Sequence, residues 1–132
     1  MAASESEIAS PGSAVIRTVP RPADANASGD IFGGWILSQM DIAGGVVAAE
    51  RAQGRVVTVA IDAMRFHRPV YVGDLVSVVA EVARVGRTSL DVRIETYVHR
   101  RQSADRELLV TEGTFVFVAI DREGRPRPVD AA

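Results

Sequence analysis

The feature that most constrains the fold of this chain is a helix pattern between residues 34 and 53. Apolar side chains recur there at the i, i+4, i+7 and i+11 positions that share one face of a helix: Ile36, Met40, Ala43 and Val47. No proline interrupts the pattern. It therefore predicts one long helix that packs a single face against a hydrophobic core.

One carboxylate, Asp41, lies within this predicted helix. Helical spacing places it at the edge of the apolar face, on the same side as Gly34 and Gly45. The positions three and four residues away hold no basic side chain, so Asp41 has no charge partner on its own helix. The helix pattern leaves two interpretations open: a satisfied structural aspartate at the solvent border, or a carboxylate that a ligand approaches over small residues.

The segment before the helix is rich in turn-forming and helix-capping residues: Asp24, Asn26, Ser28, Gly29 and Asp30. Taken singly, each of them is explained by an Asx turn or a helix cap. At the other end of the helix, Gly54 follows the last apolar position and predicts a glycine at the C′ position.

Five other segments have the pattern of strands: residues 14–19, 56–66, 75–85, 89–100 and 108–120. The run 56–66 contains almost no breaker, which predicts a central strand buried on much of both faces. Residues 89–100 alternate between apolar and charged side chains, which predicts a sheet with one solvent-exposed face. Gly86 and Arg87 predict a tight hairpin before that strand.

The order of these elements predicts the fold class. One long helix follows a short first strand, and four long strands joined mostly by short turns follow the helix. This order predicts an α+β protein with the hotdog fold, in which an antiparallel β-sheet wraps around one long central α-helix. A single helix leaves strand edges and small-residue surface uncovered, so we expect the chain to pair with a second copy.

Length and composition narrow the functional classes. The 132 residues suit one domain at 14–121, with a disordered N-terminal tail at 1–13 and a C-terminal tail at 122–132. A net charge of −2 and 5% aromatic residues argue against a nucleic-acid partner. The chain has no cysteine, which excludes a thiolate nucleophile and indicates a reducing cytoplasm.

Metal, membrane and nucleotide-loop sites are not expected. The two histidines, His67 and His99, lie far apart, which argues against a zinc site. No apolar run is long enough to span a membrane, and no signal segment is recognisable. The glycines fit neither a phosphate-binding P-loop nor a dinucleotide-binding fingerprint.

Several motifs together carry a resemblance to a known family. They run Asp24-Ala-Asn-Ala-Ser-Gly-Asp-Ile-Phe-Gly-Gly-Trp-Ile-Leu-Ser-Gln-Met-Asp41, Gly54-Arg-Val-Val-Thr-Val, Phe66-His-Arg-Pro-Val, Val72-Gly-Asp, Val85-Gly-Arg-Thr-Ser and Phe117-Val-Ala-Ile-Asp. In this order, and over residues 15–128, the chain closely resembles the YciA-like acyl-CoA thioesterases, relatives of the brain acyl-CoA hydrolases. It departs from them in a short, arginine-rich loop at 100–107, where relatives carry lysines, and in a tail that ends early.

The resemblance implies an activity and a set of catalytic residues. The reaction is acyl-CoA plus water giving a free carboxylic acid and CoA, with Asp41 as general base on a water or as nucleophile on the thioester. Gly34, with Gly33, offers a backbone N–H at the helix N-terminus to the oxyanion. Asn26 positions the water or the carbonyl and comes from the neighbouring subunit.

The resemblance also implies how coenzyme A is bound. The hairpin that contains Arg87, Thr88 and Ser89 meets the phosphates of coenzyme A, with Arg87 as a forked donor. Gly33 is also expected to contact the substrate. From its residues alone, the hairpin is equally explained as a simple turn. The minimal unit is a homodimer, and relatives imply a hexamer built as a trimer of dimers.

A thioester needs no metal or other cofactor for its hydrolysis, because the thiolate leaves readily; coenzyme A is here part of the substrate. One alternative is a non-catalytic acyl-CoA binding or sensor module on the same scaffold. The presence of Asp41, Asn26 and the glycine pair argues against it. Another alternative, a dehydratase of acyl-carrier-protein thioesters, calls for a histidine near the start of the helix, and none is there.

Overall fold

The structure, a computed structural model, describes residues 13–100 and 107–130. Its strands are β1 (Ile16–Thr18), β2 (Val56–Phe66), β3 (Leu75–Val85), β4 (Ser89–His99) and β5 (Leu108–Ala119), and its one long helix is α1 (Gly33–Ala52). A 3-10 turn at Pro22–Asp24 precedes the helix. The strands form one antiparallel sheet in the order β1-β3-β4-β5-β2, and α1 packs on one face of it. The predicted α+β architecture is confirmed.

Helix α1 packs against the sheet along the face that the sequence indicates. Its buried positions are Ile36, Met40, Ala43, Gly44, Ala48 and Ala52, whereas Val47 is only half-buried. At Gly44 a Cβ would lie 2.6 Å from Cδ1 of Ile94 and 3.0 Å from the ring of Phe117. Because such contacts are too short for a side chain, glycine lets the helix lie directly on the sheet.

Strand β2 corrects one prediction. It lies at the edge of the sheet, and none of its residues is buried. Its exposed apolar side chains are Val57, Val59, Ile61 and Phe66. From the sequence alone, the apolar residues on both faces of this strand predict a position in the centre of the sheet. Periodicity does not distinguish burial within one chain from burial against another, and an apolar edge strand is a surface on which another chain can pack.

A β-bulge shapes the second half of β2. The register with β5 shifts between Asp62 and Arg65, and Ala63 there has a φ of 52°. Bulges bend a strand and redirect the side chains beyond them. After the bulge, the ring of Phe66 lies over the helix N-terminus, 3.5 Å from the position that a Cβ on Gly33 would take.

The face of the sheet away from the helix is less exposed than the alternation of β4 suggests. Glu95 is 0% exposed and Tyr97 is 3% exposed. Tyr97 Oη donates to Glu95 Oε1 at 3.0 Å, and Arg93 Nη2 donates to Glu95 Oε2 at 3.3 Å. The alternation of β4 predicts the face on which these side chains lie. It does not predict that the carboxylate of Glu95 is buried and hydrogen-bonded to Tyr97 and Arg93.

At the C-terminal end of α1, Gly54 lies at the predicted C′ position, directly after the C-cap residue Gln53. The left-handed residue there is Gln53, with a φ of 54°, and not Gly54. Gln53 N–H donates to the carbonyl of Glu50, and Gly54 N–H donates to the carbonyl of Ala49 at 3.2 Å. The helix thus ends where expected. Glycine is needed at position 54 because of space and not because of its backbone conformation: a Cβ there would lie 2.5 Å from Arg127 Nη2.

Some predictions lie outside the described residues. Of the N-terminal tail at 1–13 only Ser13 is described, and the charged loop at 101–106 and the last two residues also fall outside. Residues 121–130 are described, and within them the side chain of Val129 is 5% exposed and belongs to the core. No helix in the described part of the chain is long and apolar enough to cross a membrane.

Candidate active site

The N-terminus of α1 carries two backbone N–H groups without a partner among the described residues, those of Gly33 and Gly34. The preceding residue, Phe32, provides no side-chain cap. A Cβ on Gly34 would meet no atom of the described residues within 4 Å, so the space beside this residue is open. First-turn N–H groups and the helix dipole both favour negative charge, which makes this a position for an oxyanion.

Asn26 is held in one orientation by the loop in front of the helix. Its Oδ1 accepts hydrogen bonds from the backbone N–H groups of Ser28 at 2.9 Å and Asp30 at 3.1 Å. The Asn26 N–H in turn donates to the carbonyl of Asp30 at 2.7 Å. With Oδ1 occupied, the side-chain Nδ2 is left as the group that Asn26 offers, and it is a donor.

Asn26 and Gly33 line the same cavity, which has a volume of about 320 Å³. The other lining residues are Asp30, Ile31, Ile36, Phe66, His67, Arg68, Pro69 and Val70. Its floor is apolar, because Ile31, Ile36 and Val70 are all buried in the core. A cavity with an apolar floor, an amide donor and free helix N–H groups suits a small acyl or thioester group.

Asp41 lies on the flank of α1 that faces β2, and it is half-buried. Thr58 Oγ1 on β2 donates to Asp41 Oδ1 at 2.6 Å. No basic side chain among the described residues forms an ion pair with Asp41. One carboxylate oxygen is therefore fixed by a hydroxyl, and the other is available to take a proton or to attack a carbonyl carbon.

Sequence reasoning missed Thr58. It lies in the motif Gly54-Arg-Val-Val-Thr-Val, but the run 56–66 was interpreted only as a strand. A hydroxyl residue in an otherwise apolar run was the available signal. What pairs it with Asp41 is the packing of α1 against β2, which no local pattern specifies.

A single chain does not bring all the predicted catalytic residues together. Gly34 and Asp41 are seven residues apart on the helix, a rise of about 10 Å. Helical N–H groups point towards the N-terminus, so the N–H of Gly34 points away from Asp41. Asp41 is also not among the residues that line the cavity beside Asn26.

The predicted coenzyme-binding hairpin lies at the other end of the helix. Gly86 N–H donates to the carbonyl of Ser89 at 2.8 Å, which closes the turn between β3 and β4. Arg87 is exposed, and its guanidinium forms no ion pair with a described residue. Thr88 and Ser89 are half-buried. The hairpin thus presents one free cation to solvent, as a phosphate contact requires.

One network of hydrogen bonds and ion pairs borders the cavity. His67 Nε2 is hydrogen-bonded to Glu112 Oε2 at 2.6 Å, and Arg93 also pairs with Glu112. Burial raises the pKa of Glu112, but the hydrogen bond to His67 and the charge of Arg93 outweigh it and hold that pKa below its usual value. No group of three or more potential metal ligands occurs among residues 13–100 and 107–130.

The sequence and the fold are similar to those of known thioesterases. Residues 28–103 match the family model of the thioesterase superfamily. The acyl-CoA thioester hydrolase YciA of Salmonella typhimurium is 48% identical over 120 residues, which cover 89% of this chain and 90% of that protein. This chain therefore belongs to the thioesterase superfamily and, within it, to the family of the YciA acyl-CoA thioester hydrolases.

Solved structures agree with the fold. A hexameric hotdog-fold thioesterase of Campylobacter jejuni has a TM-score of 0.86 at 37% identity, covering 92% of this chain and 93% of that one. An acyl-CoA hydrolase from Staphylococcus aureus, in complex with butyryl coenzyme A, has a TM-score of 0.80 at 27% identity, covering 86% and 68%. Alanine variants of that hydrolase at an asparagine and at an aspartate fifteen positions later have also been solved. The predicted hotdog fold is confirmed.

Proposed function

We propose that this protein hydrolyses acyl-CoA thioesters to a free carboxylic acid and coenzyme A, and that it does so in the cytoplasm. The observation that carries the proposal is Asp41, a half-buried carboxylate without a charge partner among the described residues. Thr58 holds one of its oxygens and leaves the other free. The activity named for the YciA relative supports the same reaction.

The active site is shared between two chains. Asn26 and the N–H groups of Gly33 and Gly34 come from one subunit, and Asp41 comes from its partner. The support is geometric: within one chain the N–H of Gly34 points away from Asp41. A two-fold axis that sets the two α1 helices antiparallel brings the N-terminus of one helix beside the middle of the other.

Two further observations support the choice of these residues and the pairing of two chains. Asn26 and Asp41 are fifteen positions apart, the same separation as the asparagine and the aspartate replaced in the Staphylococcus aureus hydrolase. The exposed apolar edge of β2, at Val57, Val59 and Ile61, is the surface that a second copy would cover. Because the Campylobacter jejuni relative is hexameric, we extend the proposal to a hexamer made of three such dimers.

The chemistry follows from the groups at the site. Asn26 Nδ2 and the helix N–H groups donate to the thioester oxygen as it becomes negative. With Asp41 as general base, it takes a proton from the attacking water; the C–S bond then breaks, and the thiolate leaves and is protonated. With Asp41 as nucleophile, its carboxylate attacks the thioester carbonyl, the C–S bond breaks and the thiolate leaves and is protonated; water then hydrolyses the acyl-aspartate to the free acid and Asp41. Neither route needs a metal or cofactor, because the thiolate is a good leaving group.

Coenzyme A is bound by the β3–β4 hairpin. Arg87 is the forked donor to a phosphate, and the backbone and hydroxyls of Thr88 and Ser89 lie beside it. The guanidinium of Arg87 is exposed and has no ion-pair partner among residues 13–100 and 107–130, which supports this role. Gly33 contacts the acyl or thioester part at the cavity.

Mixed dimers test the shared site. Homodimers of Asn26→Ala and of Asp41→Ala are each defective at both sites, whereas a mixed dimer has one doubly substituted site and one intact site. Re-pairing equal amounts makes about half of the dimers mixed, so about a quarter of wild-type activity returns. The measurement is thiol release after verified subunit exchange.

Two outcomes would contradict the proposal at different levels. No recovery of activity in verified mixed dimers would mean that Asn26 and Asp41 act within one chain. A wild-type protein that binds acyl-CoA but releases no thiol would instead be the non-catalytic binding module.

A further inference from the structure

The segment that follows β5 ties together three parts of the molecule. We define residues 126–130 as the C-terminal strap; it contacts the end of α1, the end of β5 and the β3–β4 hairpin. We propose that the strap positions this hairpin for the nucleotide end of coenzyme A, with Arg127 as the positioning residue that anchors it. This inference rests on the proposed function, and it assigns a role to a segment whose composition indicates only a tail.

Arg127 joins the strap to the helix and to β5. Its Nη2 donates to the carbonyl of Ala52, the last residue of α1, at 2.8 Å. Its Nε donates to the carbonyl of Ile120 at 3.4 Å, and its Nη1 to that of Pro128 at 3.0 Å. A helix C-terminus has unpaired carbonyls and partial negative charge, so a guanidinium is well suited to it.

Gly54 makes room for this guanidinium. A Cβ at position 54 would lie 2.5 Å from Arg127 Nη2. The left-handed turn at the helix end is made by Gln53, so the glycine is not required by its backbone conformation. Its absent side chain is what lets Arg127 reach the carbonyl of Ala52.

The strap holds the hairpin by its backbone. Val129 N–H donates to the carbonyl of Arg87 at 2.9 Å, and the side chain of Val129 is buried in the core. On the other side, Ala119 N–H donates to the carbonyl of Thr88 at 2.9 Å. The backbone of Arg87 is thus fixed while its guanidinium is free, and less conformational entropy is lost when that guanidinium binds a phosphate.

The end of the strap also pairs with Arg51, a cation that would otherwise compete with Arg87 for a phosphate. Asp130 forms a two-pronged ion pair with Arg51, at 2.7 and 3.2 Å. Arg51 lies in the last turn of α1, so without Asp130 its guanidinium would also be free at this end of the molecule. With the strap in place, Arg51 is exposed but paired with Asp130, whereas Arg87 has no ion-pair partner among the described residues.

The test compares two substrates that differ only in the nucleotide. For Arg127→Ala we expect the KM for butyryl-CoA to rise about fivefold, because Arg87 must then be ordered on binding. For butyryl-pantetheine, which lacks the nucleotide, kcat and KM should be unchanged. The matched control is Arg125→Ala, which removes the same charge from the neighbouring turn, where no side-chain hydrogen bond of Arg125 to a described residue is found.

A second variant covers the case in which Arg127→Ala does not fold. Gly54→Ala keeps every charge but drives the guanidinium of Arg127 from the helix end, and it should raise the KM for butyryl-CoA in the same way. An equal loss on both substrates would mean that the strap only stabilises the fold. An unchanged KM, or an equal rise in Arg125→Ala, would also overturn the inference. Failure of the wild type to hydrolyse either substrate would instead contradict the proposed function.

Discussion

Replacing Thr58 by valine tests how the catalytic carboxylate is held. The two side chains have nearly the same shape, but valine cannot donate the 2.6 Å hydrogen bond to Asp41 Oδ1. A hydrogen bond to a charged group contributes about 1.5–3 kcal/mol. Because Asp41 is only half-buried, we take the lower end of that range, about 1.5 kcal/mol, which corresponds to about a tenfold loss in kcat.

The assay is release of free thiol from butyryl-CoA under saturating substrate, with kcat and KM determined separately. Loss of the hydroxyl should lower kcat and leave KM nearly unchanged, since Thr58 orients Asp41 and makes no proposed contact with coenzyme A. Thr58→Ser is the matched control, because it keeps Oγ and should keep most of the turnover. Thermal unfolding of both variants separates a loss of orientation from a loss of fold.

Two results would refute this reasoning. Turnover of Thr58→Val within about twofold of wild type would mean that the hydrogen bond does not position Asp41 for catalysis. A Thr58→Ser variant as slow as Thr58→Val would mean that keeping the hydroxyl does not keep the turnover, so loss of the hydrogen bond would not explain the effect.

Three further predictions concern packing, coenzyme binding and pH. Gly44→Ala should lower the free energy of unfolding by about 1–2 kcal/mol, because its Cβ would lie 2.6 Å from Ile94 Cδ1; an unchanged Tm would show that the core yields there. Arg87→Ala should raise the KM for acyl-CoA and leave kcat nearly unchanged, whereas an equal loss on acyl-pantetheine would exclude a nucleotide contact. The lowered pKa of Glu112 means that its contribution to stability is complete above its ordinary value of 4.5 and is lost as the pH falls through the lower folded value. Glu112→Gln should therefore lower Tm at pH 7, and its difference from wild type should shrink in acid; a constant difference down to about pH 3 would contradict this.

The local pattern of apolar residues was sufficient to predict where the helix and the strands lie along the sequence. The apolar spacing of α1 and the alternation of β4 each follow from a period that neighbouring residues determine. The position of β2 at the sheet edge was not predictable in this way. Its side chains have the pattern of burial on both faces, but within this chain they are exposed, and a sequence does not state which chain covers them.

The candidate site was predictable only in part, for a related reason. Asn26, Gly34 and Asp41 were indicated by a motif that the family shares, and their roles stay predictions. Contacts between distant segments were not predictable, because they depend on how the finished elements pack. Thr58 meets Asp41 only when β2 lies beside α1, and Arg127 meets Ala52 only when the chain returns to the helix end.

Substitution of Asp41 by asparagine is the most direct test of the central claim. The amide has nearly the same shape and still accepts the hydrogen bond from Thr58, but it neither takes a proton nor attacks a carbonyl. Wild type should release one thiol for each acyl-CoA consumed. For Asp41→Asn we expect kcat to fall by about several hundred-fold or more, while the fold and the assembly stay intact. A purified, folded variant that keeps more than about a tenth of wild-type turnover would contradict the assignment and leave Asp41 with a structural role.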